Sequence, residues 1–320
     1  MVKYFKLIRP INLLIMALVV CLMQFCVINP ILEVYGFKII MFPLVFTLLL
    51  VSILTIGASG YVINDYFDTK IDEINRPNKV IVGHGITRHQ AAVYFQTLLI
   101  IGNIAGLALA IILRNITLVF IYAGVSGILW FYSSSYKRQL LLGNIMVSLC
   151  TFLCVFLVGY VNVKGLIVNY PDADLSATMQ KCIGLSVAMI YAWTLGFGLF
   201  AFLLTMLREM VKDIEDIEGD TEMECRTMPI VWGVTTSKIV ITVLTAVTIA
   251  VIFYFANFKI FFKEDNITFT YSVILILFLL MFIGQLWMAK CKPSYSQASM
   301  TLKVIMVLGI CYSIVFKMLI

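Results

Sequence analysis

Nine long apolar stretches dominate this sequence and constrain its fold more than any other feature. A transmembrane helix requires about 20 mostly apolar residues, and 62% of the chain is apolar whereas 12% is charged. Because lipid leaves unpaired backbone groups unsatisfied, spanning segments are helices or closed barrels, and long runs without alternation favour helices. The sequence predicts an all-α, polytopic membrane protein with about nine spans, and eight or ten are the alternatives because several runs merge at their edges. The runs are 11–32, 39–63, 90–113, 116–132, 141–163, 183–207, 237–257, 268–289 and 301–320.

The distribution of Lys and Arg predicts the orientation of these helices. The first run is too long for a signal-peptide core and has no small-residue cleavage site, so we expect it to be retained as a helix. If the N-terminus lies on side one, 16 of the 23 Lys and Arg residues fall on that side. The positive-inside rule makes side one cytoplasmic. This bias explains the net charge of +6, so no nucleic-acid partner is indicated, and anionic lipid or an anionic substrate suffices.

Cysteine and histidine give no sign of a soft metal centre or a disulfide framework. Most of the eight cysteines lie inside apolar runs and none forms a CxxC pair, so we interpret them as small buried hydrophobic residues. The chain has two histidines, His84 and His89, which argues against a His-rich zinc or iron centre. No haem attachment motif is present.

Two acidic sets follow the second and sixth apolar runs. The first is "NDYFDTKID" with Asp65, Asp68 and Asp72; the second is "REMVKDIEDIEGD", and its members are Asp213, Asp216 and Asp220. Both have the spacing i, i+3, i+7, which places the carboxylates on one helix face. Each set precedes a basic residue, a proline and a glycine, in "INRPNKVIVGHG" and "CRTMPIVWG". This symmetry predicts a single domain of two four-helix units plus a ninth helix, with pseudo-repeats at roughly 1–140 and 141–290.

Magnesium is the cation that these carboxylates suit. Like charges on one helix face repel each other, and more strongly near a low-dielectric region, so they require partners. Oxygen ligands without His or Cys favour Mg²⁺, which binds through a few carboxylates, waters and substrate phosphate. Two such sets facing each other would hold at least two Mg²⁺ ions and, through them, a diphosphate. The alternative is that both sets are solvated helix ends.

The acidic segments resemble those of a known family. "NDYFDTKID" fits the NDxxDxxxD motif of the UbiA superfamily of intramembrane prenyltransferases, and "DIEDIEGD" is similar to its second Asp-rich motif. "FYSSSYKRQLLLGN" and the helix count also match. The resemblance implies Mg²⁺ as cofactor, a membrane-embedded active site, and loss of diphosphate from an isoprenyl diphosphate to give an allylic cation that a lipophilic acceptor captures.

The resemblance also implies residue roles. Metal ligands are expected at Asn64, Asp65, Asp68, Asp72, Asp213, Asp216 and Asp220, and catalytic roles at Asp68, Asp72, Asp216, Asp220 and Lys137. Contacts to the prenyl diphosphate are expected from Arg76, Lys79, Arg208, Lys212, Arg226, Tyr132, Tyr136 and Asn12. For the basic residues the alternative is ordinary positive-inside loop charge, which is the favoured interpretation of Arg88 and Arg138. Arg9 and Asn12, in "LIRPINLL", match a weak N-terminal pattern of the family; the alternative for these two is a topology signal and a helix cap.

The acceptor and the general class are less constrained. The motif segments look most like the geranylgeranylglycerol-phosphate geranylgeranyltransferase branch, which makes archaeal-type ether lipids; a 4-hydroxybenzoate or naphthoate acceptor of quinone synthesis is the second hypothesis. An ion-coupled transporter is the alternative of another class. The charges here lie at one side of the membrane and the repeat is parallel, which favours an enzyme. The expected location is a prokaryotic cell membrane, with a cytoplasmic N-terminus and active-site face.

Overall fold

Helices make up the described part of the chain. The computed structural model describes residues 2–38, 42–75, 77–171, 176–257 and 266–320, and no strand occurs within these ranges. The helices are α1 (Val2–Leu7), α2 (Pro10–Leu22), a π-helical turn (Met23–Ile28), α3 (Asn29–Val34), α4 (Phe42–Phe67), α5 (Thr69–Asn75), a 3-10 helix (Pro77–Lys79), α6 (Arg88–Ile112), α7 (Thr117–Ser134), a 3-10 helix (Tyr136–Arg138), α8 (Leu142–Asn169), α9 (Ala177–Glu215), α10 (Ile217–Glu222), α11 (Met228–Trp232), α12 (Val234–Asn257), α13 (Asn266–Met288) and α14 (Lys292–Leu319).

The predicted membrane architecture is confirmed. Over the described residues, nine segments are long and apolar enough to span a membrane, the first of them running from α2 through α3. Several helices are longer than their apolar runs, because charged residues can continue a helix beyond the membrane core. For example, α4, α8 and α9 extend past 63, 163 and 207, and α14 begins before 301. Arg76, Lys259 and Lys263 lie outside the described residues.

Two compact units divide the chain. One comprises Met1–Ser135 and Leu153–Gly198, with Ile320, and the other Tyr136–Phe152 and Leu199–Leu319. In the first, Leu7, Val62 and Phe95 belong to one buried apolar cluster. In the second, α9 contributes Leu204 and Leu207 to a cluster with residues of α12, α13 and α14. The pseudo-repeats at 1–140 and 141–290 have different boundaries and stay a prediction.

A buried amide pair joins the π-helical turn after α2 to α8 in the first unit. Gln24 Nε2 donates to Asn162 Oδ1 at 3.0 Å, and Asn162 Nδ2 donates back to Gln24 Oε1 at 2.7 Å. The two residues are only 1% and 3% exposed. Gln24 lies in the π-helical turn and also donates to Asn29 Oδ1 at 2.9 Å. Because polar groups in an apolar interior are stable only when they are hydrogen-bonded, this pair fixes how the two helices align.

Gln24→Leu or Asn162→Leu alone should destabilise the protein by about 1–2 kcal/mol, because each leaves a buried amide without its partner. The double variant Gln24→Leu/Asn162→Leu should recover part of that loss, since both polar groups are then gone. Thermal unfolding of the wild type, the two single variants and the double variant in detergent measures the coupling free energy between the two side chains. Purely additive losses in the double variant would contradict a coupled pair.

Candidate functional site

The first aspartate set lies where two helices meet. α4 ends at Phe67 and α5 begins at Thr69, so Asp68 occupies the junction. Helical hydrogen bonding nevertheless continues across it: Asp68 N donates to Asn64 O at 2.9 Å, and Asp72 N donates to Asp68 O at 2.8 Å. Asn64, Asp68 and Asp72 therefore stand on successive turns of one helix face, as the spacing predicts.

The second set has the same local structure. α9 ends at Glu215 and α10 begins at Ile217, so Asp216 occupies this junction. Asp216 N donates to Lys212 O at 2.8 Å, and Asp220 N donates to Asp216 O at 3.2 Å. With φ −101° and ψ 11°, Asp216 lies in the bridge region of backbone space, where many active-site residues are found. In both sets the middle aspartate is the junction residue, a likeness beyond sequence spacing.

Arg9 is a basic residue that contacts the first set. Its Nη2 donates to Asp65 Oδ1 at 2.5 Å, and its guanidinium carbon lies 5.3 Å from the centroid of the Tyr61 ring. Burial alone would lower the pKa of Arg9, but the adjacent Asp65 carboxylate raises it above its usual value, so the side chain is a fixed positive charge. Arg9 has φ 51° just before Pro10, where extended backbone is normal. Such strain persists only when the surrounding structure imposes it.

Among the described residues, Asn144 and Lys292, from other elements of the same unit, contact the second set. Asn144, in the first turn of α8, donates from Nδ2 to Asp213 Oδ2 at 2.8 Å. Lys292, the first residue of α14, places Nζ 3.7 Å from Asp216 Oδ1. The carboxylates of this set are therefore already oriented by a neutral donor and by a cation.

A close backbone approach places the Tyr136–Arg138 helix beside Asn144. A Cβ on Gly143 would lie 2.6 Å from Lys137 Cα, so only glycine allows this packing. Arg226 N donates to Arg138 O at 2.8 Å, which joins a second basic segment to the first. Lys137, Arg138 and Arg226 thus belong to two directly bonded segments next to the residue that binds Asp213.

Arg208 and Lys212 are engaged by a buried carboxylate. Arg208 Nη1 donates to Glu209 Oε1 at 2.6 Å, and Lys212 Nζ donates to Glu209 Oε2 at 3.4 Å. Glu209 is 8% exposed. Arg208 Nε is buried and has no hydrogen-bond partner in the described part of the chain. The predicted role of these two residues in diphosphate binding stays a prediction.

Of the other predicted contact residues that the structure describes, Asn12, Lys79 and Tyr132 lie in the first unit and Tyr136 lies in the second. Tyr132 is in the last turn of α7, and Lys79 ends the 3-10 helix after α5. Asn12 is in the first turn of α2, where its backbone N donates to Arg9 O at 2.9 Å; the helix cap is Arg9, and no side chain caps it. Arg76 lies outside the described residues.

The donor chemistry of both sets fits magnesium. Within the described ranges, no group of three or more His, Cys, Asp or Glu side chains is placed to hold a metal ion. Mg²⁺ does not need such a group, because it binds through one or two carboxylates and completes its shell with waters and substrate phosphates. Aspartate pairs on successive helix turns, such as Asp68 with Asp72 and Asp216 with Asp220, match that requirement.

Sequence reasoning missed or undervalued four residues of the site. Arg9 belonged to a weak N-terminal pattern, and Asn144 lay inside the quoted segment "FYSSSYKRQLLLGN". Lys292 was counted as loop charge because the last helix was expected to begin at 301, whereas Pro293, which is favoured at a helix start, was an available signal. Nothing in the sequence distinguished Glu209 from the acidic residues around it.

Nine spanning helices in the described chain, two of which end in matching aspartate junctions, define a multi-pass membrane protein with paired acidic sites. The chain belongs to the UbiA prenyltransferase family, whose sequence pattern matches residues 34–308. It is therefore a membrane-bound prenyltransferase, as the motifs predicted.

Curated relatives in this family are named digeranylgeranylglyceryl phosphate synthase. The protein of Methanosphaera stadtmanae is 29% identical over 312 residues, which cover 96% of each chain. That of Methanospirillum hungatei is 31% identical over 232 residues, which cover 72% of this chain and 69% of the relative.

Solved structures show the same fold. A digeranylgeranylglyceryl phosphate synthase structure has a TM-score of 0.61 at 24% identity and covers 98% of this chain and 97% of its own. A UbiA homologue from Archaeoglobus fulgidus, bound to GPP and Mg²⁺, has a TM-score of 0.54 at 17% identity and covers 98% and 99%.

Arg9→Met should lower stability by about 1–2 kcal/mol in EDTA, because Asp65 loses its charged donor while the 35% exposure of the Arg9 side chain limits the effect. Added Mg²⁺ should restore part of the loss by neutralising the carboxylates. Thermal unfolding with and without Mg²⁺ measures both effects. Lys6→Met, at an exposed residue in the last turn of α1, is the control. Equal behaviour of the two variants would contradict the role of Arg9.

Proposed function

We propose that this prenyltransferase uses Mg²⁺ to transfer a prenyl group from an isoprenyl diphosphate to a lipophilic acceptor, with the aspartates that end α4 and α9 as the metal ligands. The observation that carries the proposal is the shared construction of the two sets. Each combines i, i+3, i+7 spacing with a helix junction at its middle aspartate. Solvated helix ends would have no reason to share both features.

The aspartates are the residues that would hold the metal. Asp68 with Asp72, and Asp216 with Asp220, lie one helical turn apart, and Asn64 adds a neutral oxygen on the same face as the first pair. Asp65 and Asp213, held by Arg9 and Asn144, contribute through water or a second ion. When bound, Mg²⁺ neutralises the charge that develops on a departing diphosphate.

The reaction breaks one C–O bond and forms another bond to the same carbon. The electron pair of the bond between prenyl C1 and the diphosphate leaves with the diphosphate, and the allylic cation accepts an electron pair from the acceptor, which releases a proton. The basic residues that bind the diphosphate are Lys137, Arg226, Arg208 and Lys212, with Arg76 and Lys79 from the first half of the chain, and Asn12 adds a neutral amide donor. Tyr132 and Tyr136 offer aromatic faces that stabilise a cation.

We propose a glycerol-phosphate ether, geranylgeranylglycerol phosphate, as the acceptor. The names of the curated relatives support this choice. Arg138, whose segment is joined to that of Arg226 by a backbone hydrogen bond, provides positive charge for a phosphomonoester. We further propose that the aspartate-bearing helix ends and the N-terminus face the cytoplasm of a prokaryotic cell, because 16 of 23 basic residues fall on that side.

A transfer assay in detergent tests the function. It uses radiolabelled geranylgeranyl diphosphate, Mg²⁺ or EDTA, and three acceptors: geranylgeranylglycerol phosphate, 4-hydroxybenzoate and dihydroxynaphthoate. We expect Mg²⁺-dependent product with the first acceptor. Product with an aromatic acceptor would replace the proposed acceptor by a quinone precursor, and full activity in EDTA would remove the metal from the proposal.

Asp68→Asn and Asp216→Asn should each reduce the rate of transfer about 100-fold or more, because an amide no longer neutralises a metal that stabilises departing charge. Folding should be preserved, since removing one of three crowded carboxylates relieves repulsion. Glu218→Gln and Glu222→Gln remove exposed carboxylates of α10 and are the matched controls, for which we expect near-normal rates. Near-normal turnover by either aspartate variant would refute the assigned ligands.

A further inference from the structure

Lys292 occupies an unusual place for a lysine. It is the first residue of α14, and helix N-termini carry a partial positive charge that disfavours basic side chains. Its side chain is 35% exposed, and its Nζ lies 3.7 Å from Asp216 Oδ1. Asp216 is the junction residue of the second set. The placement thus adds positive charge beside a carboxylate that we have proposed as a metal ligand.

A second lysine holds the turn that presents Lys292. Lys238 of α12 is 8% exposed, and its Nζ donates to Ala289 O at 2.7 Å. The same ammonium lies 5.2 Å from the centroid of the Tyr295 ring in the first turn of α14. Ser294 Oγ accepts from the backbone N of Lys290 and of Cys291, each at 3.2 Å. The turn between α13 and α14 is therefore tied at several points, and the position of Lys292 follows from packing.

The positive charge of Lys292 should weaken the binding of a free metal ion and strengthen the binding of a diphosphate. An ammonium beside Asp216 competes with a divalent cation for the same carboxylate and repels it. A diphosphate brings negative charge that attracts the ammonium and the metal alike. Metal binding near Asp216 should therefore be weak for the free ion and strong when a diphosphate is present.

We propose that Lys292 is a counter-ion that makes metal binding at the second aspartate set depend on the diphosphate. In the substrate-free protein its ammonium neutralises Asp216. When a diphosphate arrives with the metal, the ammonium turns from the carboxylate to a phosphate oxygen, and Asp216 becomes a metal ligand. Lys238 is the positioning residue that holds the turn. This inference rests on the proposed metal-binding role of Asp216.

Mn²⁺ binding, followed by electron paramagnetic resonance on purified protein in detergent, tests the inference without activity. Lys292→Met should bind Mn²⁺ about three- to tenfold more tightly than the wild type when no diphosphate is present, because a nearby positive charge is gone. Lys292→Arg keeps the charge and should resemble the wild type. Lys290→Met removes an exposed charge from the same turn and should also change nothing.

The second part of the experiment repeats the Mn²⁺ titration with geranylgeranyl diphosphate present. The tightening of Mn²⁺ binding that it causes should be smaller in Lys292→Met than in the wild type, and the KM for the diphosphate should rise more than kcat falls. Unchanged Mn²⁺ affinity in Lys292→Met, or an equal gain in Lys290→Met, would overturn the role of Lys292. Asp216→Asn separates the two proposals: if it leaves Mn²⁺ binding intact, the metal site itself is wrong.

Discussion

A carboxylate at the end of an apolar helix is stable only when a hydrogen-bond donor or a cation lies beside it. Aspartates of both sets have such a partner. Asp65 has Arg9, Asp213 has Asn144, and Asp216 has Lys292. Each partner comes from a different helix start, so satisfying the carboxylates also fixes how helices pack. In the proposed function, the same crowding of negative charge is what attracts Mg²⁺ together with a diphosphate. Under that proposal, the carboxylates that require partners for stability are also the carboxylates that bind the metal.

The helix backbone determines where the aspartates of each set lie relative to one another. The backbone hydrogen bonds that run through Asp68 and Asp216 keep each set in helical register, while the junction at each middle aspartate releases that residue from regular helix. Rigid helices thus set the spacing between carboxylates, and the junction supplies local adjustment. The Mg²⁺ ion that we propose for these sets demands near-ideal octahedral geometry, and both properties would help the carboxylates to meet that demand.

Features that repeat along the chain were predictable from the sequence. Apolar runs of membrane length gave the number and approximate position of the spans, and the i, i+3, i+7 spacing gave the shared face of each set. The motif resemblance gave the family. Contacts between distant segments were not predictable: no local signal pairs Arg9 with Asp65 or Lys292 with Asp216, because these pairs follow from helix packing. One helix start was also missed where charged residues lie outside the apolar run: α14 begins at Lys292 and not at 301.

The central claim is that both aspartate sets hold the divalent metal that carries the diphosphate. Anomalous diffraction from crystals grown with Mn²⁺ and geranylgeranyl diphosphate measures this most directly. The account predicts manganese peaks within coordination distance of the carboxylates of both sets, with diphosphate oxygens completing the coordination. Diphosphate bound without manganese at either set, or manganese bound only elsewhere, would contradict it.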